Sequence, residues 1–117
     1  MTTRRTVFAA LASSVLLVAC ANAPRGTAQP PIVFVHGNGA HAHWWDFITP
    51  FFADAYSVAS MTWSGMGDST PRSAYSLEQF SGEQMAIAET AGLFAGPKKP
   101  IIVAHSFGGF ISSYTAA

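Results

Sequence analysis

Ser106 stands in the run Ala104-His105-Ser106-Phe107-Gly108, an A-x-S-x-G pattern one methyl group away from G-x-S-x-G. A serine so placed could act as a nucleophile toward an acyl carbon. The pattern has a steric cause. A serine presented at a sharp turn between a strand and a helix takes a strained backbone conformation, at roughly 1–3 kcal/mol. The residues two before and two after it then lie against neighbouring backbone, so their side chains must be nearly absent. Ala104 departs from that requirement by a methyl group, while Gly108 and Gly109 meet it. The same serine read alone is equally well a helix N-cap, where Ser is favoured because its side chain accepts a backbone N–H. The elements around it separate the two readings.

Three apolar runs supply them. Residues 101–104 are short, apolar and mostly β-branched, preceded by Gly96-Pro97, the pattern of a parallel strand buried on both faces. Residues 31–35 form a second run, ended by His36-Gly37, and residues 56–63 a third, ended by the turn at Gly65 and Gly67. Between the runs 31–35 and 56–63, residues 44–54 carry apolar side chains at 45, 48, 51 and 52, a helical stripe that Pro50 must kink or restart. Ser76-Leu77-Glu78-Gln79 has the form of a capping box. The helix it opens presents Leu77, Phe80, Ile87, Ala88 and Ala91 on one face, and Gly82 weakens it by roughly 1 kcal/mol. Strand, helix, strand, helix, strand, helix specifies an α/β fold with a parallel three-stranded core and right-handed crossover helices.

Ile32-Val33-Phe34-Val35-His36-Gly37-Asn38-Gly39, then Met61-Thr62-Trp63-Ser64-Gly65-Met66-Gly67-Asp68-Ser69, then the serine turn, in that order, resemble the N-terminal portion of the α/β-hydrolase fold family over residues 31–117. The resemblance implies a partial α/β-hydrolase fold. These runs would be its strands three, four and five, with 32–35 in the middle, the first two strands absent and everything past the helix after Ser106 missing. It implies a serine-nucleophile hydrolase that acts, without a cofactor, on a small-molecule acyl substrate through an acyl-enzyme at Ser106. The substrate would be an ester, thioester, lactone or amide. The oxyanion hole would then be the N–H of Phe107 together with that of Asn38, with Gly39 as the second choice. In this family the acid and the histidine follow the nucleophile, yet the eleven residues after Ser106 contain no Asp, Glu or His. We therefore expect no turnover from these 117 residues.

The four histidines do not fill that gap. His36 belongs to the oxyanion loop and His105 is held on the strand, so neither is expected to be a base. His41 and His43 could bind a metal at i, i+2, but no further ligand is close in sequence, and no metal is expected. Phe107 is the one aromatic residue offered as pocket lining, and Asp68 and Ser69 read as turn residues.

Six acidic and six basic residues leave no formal net charge, which gives no support to a nucleic-acid or acidic partner. Residues 1–20 read as an export signal: Arg4 and Arg5 open it, and the apolar stretch 7–19 is shorter than the roughly 20 residues of a spanning helix. Leu17-Val18-Ala19-Cys20 resembles the lipobox of bacterial lipoproteins, which makes Cys20 the candidate lipidation site and the lipid anchor the only membrane contact. As the sole cysteine, Cys20 forms no internal disulfide. Cleavage after Ala21, giving a secreted protein, is the alternative. Residues 21–30, small, polar and proline-bearing, read as a tether to a domain over 31–117.

Two other functions are weighed. Gly37-Asn38-Gly39-Ala40-His41-Ala42 matches the dinucleotide loop G-x-G-x-x-[GA], but Met61-Thr62-Trp63-Ser64 offers no acid or arginine for a ribose. A truncated, non-catalytic hydrolase-like protein would carry the same motifs.

Overall fold

The structure is a computed structural model that describes residues 5–11, 15–22 and 29–117. Ile32–Val35 (β3) is its central parallel strand and is buried throughout, because Val58–Met61 (β4) pairs along one side and Ile101–Ala104 (β5) along the other. Register puts Val33 between Ala59 and Ile102, and Val35 between Met61 and Ala104. Parallel partners share a face, so these six residues form one apolar layer. Leu77–Thr90 (α1) and Phe107–Ala116 (α2) cover it with Phe80, Ile87, Ala88 and Ile111, joined by Trp63 and Leu93. Ile32, Phe34 and Val58 face the other way, under Trp45, Ile48 and Tyr56. The expected α/β architecture, a parallel three-stranded sheet with crossover helices, is present.

The Ser76 half of the capping box forms: the Ser76 side chain accepts the N–H of Gln79 at 3.1 Å and α1 begins at Leu77, while the Gln79 side chain turns toward Glu83 instead of back to Ser76. Residues 44–54 differ. They fold as two 3₁₀ turns, Ala42–Trp45 and Thr49–Phe51, instead of one kinked α-helix. Pro50 opens the second turn, where its missing N–H is not needed. Only Trp45, Ile48 and Phe52 of the stripe reach the sheet, whereas Phe51 is 82% exposed.

The expectation that 101–104 is buried on both faces is corrected. β5 is an edge strand whose helix-side residues pack inward, while Ile101 and Val103 are 44% and 38% exposed on the other face, which no described element covers. The sheet also has two strands more than the three read from the sequence. Arg5–Leu11 (β1) and Val15–Asn22 (β2) pair as an antiparallel hairpin, and β2 adds antiparallel to β4, giving the order β1-β2-β4-β3-β5. Short apolar runs are ambiguous between an export segment and a strand, and a free edge of β4 is a template for pairing. Residues 1–4, 12–14 and 23–28, which belong to the export and tether readings, lie outside the described residues.

Candidate active site

Two residues separate the end of β5 from the start of α2, and one of them bears the strain of the turn. Ser106 sits at φ 54°, ψ −120°, the only non-glycine residue with positive φ among the described residues. The chain holds it there from both ends. The N–H of His105 donates to Val35 O at 3.0 Å, extending the β3–β5 ladder, and Gly108 N–H donates to His105 O at 3.0 Å to start the helix. Gly108 packs so tightly on β3 that a Cβ there would run into the carbonyl oxygen of His36. Gly109, in contrast, has no heavy atom within 4 Å of an added Cβ, so its smallness is not a packing requirement.

Across from the serine, the loop after β3 is equally close. A Cβ on Gly37 would lie 3.1 Å from His105 Nδ1 and 3.2 Å from Ser106 Cβ, and Gly39 takes φ 76° to turn the loop. The result is an open cavity of about 260 Å³ lined by Gly37, Asn38, Gly39, Ala40, Trp44, His105 and Ser106. The N–H groups of Asn38, Gly39 and Phe107 donate to no acceptor among the described residues. Ser106, Asn38 and Gly39 thus line one cavity, and Phe107 directly follows the serine.

Phe107 joins this site through its backbone alone. Its ring does not line the cavity; it packs at 5.4 Å from Phe80 and 6.3 Å from Trp63 in the core, which corrects the expectation that it is a pocket residue. The aromatic wall belongs to Trp44, with its ring 4.7 Å from that of His105 in an edge-to-face contact. His105 was expected to neighbour the nucleophile but to be held on the strand. The strand stops at Ala104, so strict alternation no longer governs residue 105, and the shortness of the 101–104 run was the one signal for this.

His36 has another role. Its ring is fully buried, with Nδ1 2.6 Å from Gly37 O and Nε2 accepting the N–H of Trp63 at 3.2 Å. Burial pushes its pKa below the ordinary 6.5, opposed by the Gly37 hydrogen bond and assisted by His41. His41 and His43, their rings 5.9 Å apart, line a separate cavity of about 160 Å³ with Thr62, Gly67 and Asp68, and His43 Nδ1 is 3.0 Å from Asp46 Oδ2. Among the described residues, no three His, Cys, Asp or Glu side chains are grouped to hold a metal. Asp68 is exposed, and Ser69 donates its hydroxyl to Thr62 O at 3.2 Å within the turn, so both are turn residues. The glycine loop 37–42 leads into a four-residue 3₁₀ turn, not the α-helix whose N-terminus a dinucleotide pyrophosphate needs.

Among the buried polar groups that sequence reasoning missed, Glu83 bears on the loops at the sheet's end. Glu83 of α1 accepts the N–H of Ser64 at 3.0 Å and Arg72 Nε at 2.9 Å, tying the turn after β4 to the helix. Its position on the inner face of α1, beside Phe80 and Ile87, was the available signal.

A sequence model described as Alpha/beta hydrolase family matches residues 32–117. Over 95 residues the chain is 32% identical to the dihydrolipoyllysine-residue acetyltransferase component of the acetoin cleaving system of Cupriavidus necator, a match taking in 80% of this chain and 24% of that protein. Among solved structures it is similar to the Cif epoxide hydrolase from Acinetobacter nosocomialis, with a TM-score of 0.75 and 28% identity over 95% of this chain and 33% of that one. It is also similar to a hydrolase from Pseudomonas aeruginosa PA01, with a TM-score of 0.79 and 17% identity over 95% of this chain and 40% of that one. The chain thus spans between 24% and 40% of the length of these three proteins.

Proposed function

The chain belongs to the Alpha/beta hydrolase family, and from that premise we propose that Ser106 is the nucleophile of an acyl hydrolase. The supporting observation is the strained serine turn, which shares a cavity with Asn38 and Gly39, whose backbone N–H groups, like that of Phe107, have no acceptor among the described residues. As a base takes the Ser106 hydroxyl proton, Oγ forms a bond to the carbonyl carbon of an ester, thioester, lactone or amide and the carbonyl π electrons move onto oxygen; the same base later gives that proton to the leaving group. The N–H groups of Phe107 and Asn38 stabilise that oxyanion, Gly39 being the second choice for the latter. Collapse expels the protonated leaving group, and water then cleaves the acyl-serine ester.

Chemistry favours an acyl substrate over the epoxide named in one of the relatives. A serine oxygen opening an epoxide would leave an ether, which water does not cleave, whereas an acyl group leaves an ester that turns over. The proposal needs no metal or redox cofactor. It also needs a base, and Ser106 Oγ makes no hydrogen bond to any described residue: His105 lines the same cavity but packs its ring on Trp44 and is not bonded to the serine hydroxyl. His36 is locked in its own hydrogen bonds and His41 and His43 line the other cavity. Aryl-ester turnover at a normal rate by this chain would overturn that part, since a histidine within it would then have to be the base. The nucleophile itself is tested with a fluorophosphonate. Slow labelling of Ser106, found by peptide mass, is expected, and none in Ser106→Ala; equal labelling of the two eliminates the assignment.

Export with lipidation at Cys20 is the second part of the proposal, resting on the run Leu17-Val18-Ala19-Cys20. The mature protein should lack residues 1–19 and carry lipid in a Cys20-dependent way. An intact N-terminus with protected amides in β1 and β2 would favour the hairpin instead.

A further inference from the structure

The backbone ladder between β3 and β4 stops at Val35 and Met61. Beyond it, side chains continue the tie. The main-chain N–H of Trp63 donates to His36 Nε2 at 3.2 Å, and its indole N–H donates to the carbonyl oxygen of His36 at 3.1 Å. Both residues are fully buried. Because Nε2 accepts, the proton sits on Nδ1 and is shared with Gly37 O, 2.6 Å away, so the ring is neutral. The same His36 carbonyl is pressed from the other side by Gly108, which has no room there for a Cβ. The His36–Gly37 peptide is therefore gripped between Trp63 and the first turn of α2. The next N–H groups along the chain are those of Asn38 and Gly39, at the Ser106 cavity, and neither His36 nor Trp63 lines that cavity.

We propose that Trp63 is a positioning residue: through the His36 carbonyl, its indole N–H sets the direction in which the Asn38 and Gly39 N–H groups point. The inference rests on Ser106 being the nucleophile. Its rival is plain packing, since the Trp63 ring also lies 5.4 Å from Phe80 and 6.3 Å from Phe107. Loss of the indole bond frees the peptide to rotate, and a shift of about 1 Å at a reacting geometry costs roughly a hundredfold in rate.

The test compares three variants of the 117-residue chain: Trp63→Phe, Phe80→Leu, and a chain with benzothienylalanine at position 63, which keeps the ring shape and replaces the indole N–H by sulfur. Fluorophosphonate labelling is followed by intact mass and resolved into its maximal rate and its half-saturating concentration. We expect Trp63→Phe and the benzothienyl chain to lose tenfold or more in maximal rate, with half-saturation unchanged within twofold. Phe80→Leu, which thins the same core without touching the indole bond, should label within twofold of the parent at a comparable loss of melting temperature. Amide ¹⁵N and ¹H shifts of Asn38 and Gly39 should move in the benzothienyl chain, a readout that needs no labelling. Parental labelling by the benzothienyl chain, or unmoved Asn38 and Gly39 amides, overturns the inference while leaving the Ser106 reading intact. If Trp63→Phe does not fold, the benzothienyl chain decides alone. Labelling of Ser106→Ala at the parental rate removes the proposed function and this inference with it.

Discussion

Replacing Gly108 with alanine puts one methyl group where the structure has none to spare. A Cβ at that position collides with the His36 carbonyl oxygen and lies 2.9 Å from both Val35 O and Val35 Cγ1. Those atoms belong to β3 and the residue after it, and β3 cannot retreat because it is hydrogen-bonded along both edges. The helix must lift instead. Overpacking by a methyl group costs about 1–3 kcal/mol, while alanine in place of glycine inside a helix returns about 1 kcal/mol. Gly109 supplies the control, since it shares α2 and its added Cβ meets nothing within 4 Å. Both alanines collect the same propensity gain, so the difference between them isolates the overpacking cost of about 1–3 kcal/mol. At roughly 4–8 °C per kcal/mol for a domain of this size, Gly109→Ala should melt about 5–20 °C above Gly108→Ala. Thermal and urea unfolding followed by circular dichroism measure this, with Gly109→Ala expected slightly above the parent. Equal midpoints, or Gly108→Ala the higher, would refute the claim that α2 is seated against the His36 carbonyl.

Ser106→Gly should raise stability by about 0.5–2 kcal/mol, because glycine relieves the strain at φ 54° at a smaller entropic cost; Ser106→Ala keeps the strain and should not, and a urea midpoint for Ser106→Gly no higher than that of Ser106→Ala would count against a strained turn. Glu83→Gln should lower unfolding stability by about 2–3 kcal/mol, since it leaves Arg72, 2.9 Å away, facing an amide in place of a carboxylate; a change below about 0.5 kcal/mol would mean that water already carries this contact. His36 gives a pH dependence whose sign follows from its depressed pKa. Near and below pH 6.5 the unfolded chain binds a proton at this site that the folded chain refuses, so stability should fall as the pH drops from 7 toward 5. The slope is at most about 1.4 kcal/mol per pH unit and flattens below the folded pKa. Glu78, held below its ordinary 4.5 by its own backbone hydrogen bond and by Tyr114 and Ser76, enters only at lower pH. His36→Gln should lose the slope above pH 5, and urea midpoints that are flat across this window in the parent would refute the assignment.

Much of this molecule was legible in short stretches. Ser76-Leu77-Glu78-Gln79 announced a helix start because the cap bond it makes spans three residues. The three core strands and the serine turn were readable for a similar reason: apolar runs and glycines report local steric demands, and their order along the chain fixes a parallel sheet with crossovers. What stayed hidden depends on partners distant in sequence. Nothing near His36 indicates that Trp63, 27 residues on, will hold its ring and its carbonyl. The neighbours Gly108 and Gly109 look alike until β3 is laid against one of them. The exposure of Ile101 and Val103 follows from the edge position of β5, which an apolar run cannot declare. Likewise, a run such as 15–22 satisfies either an export segment or a strand, and only a neighbouring edge, here that of β4, can recruit it. The amino-acid sequence by itself determined the order of the three parallel strands and the two helices α1 and α2, the Ser76 cap and the position of the strained serine, because each is signalled within a few residues. Tertiary structure alone decided which glycine must be glycine, which histidine is buried, and which loop shares a cavity with the serine, because those depend on atoms that meet only when the sheet and helices close on one another.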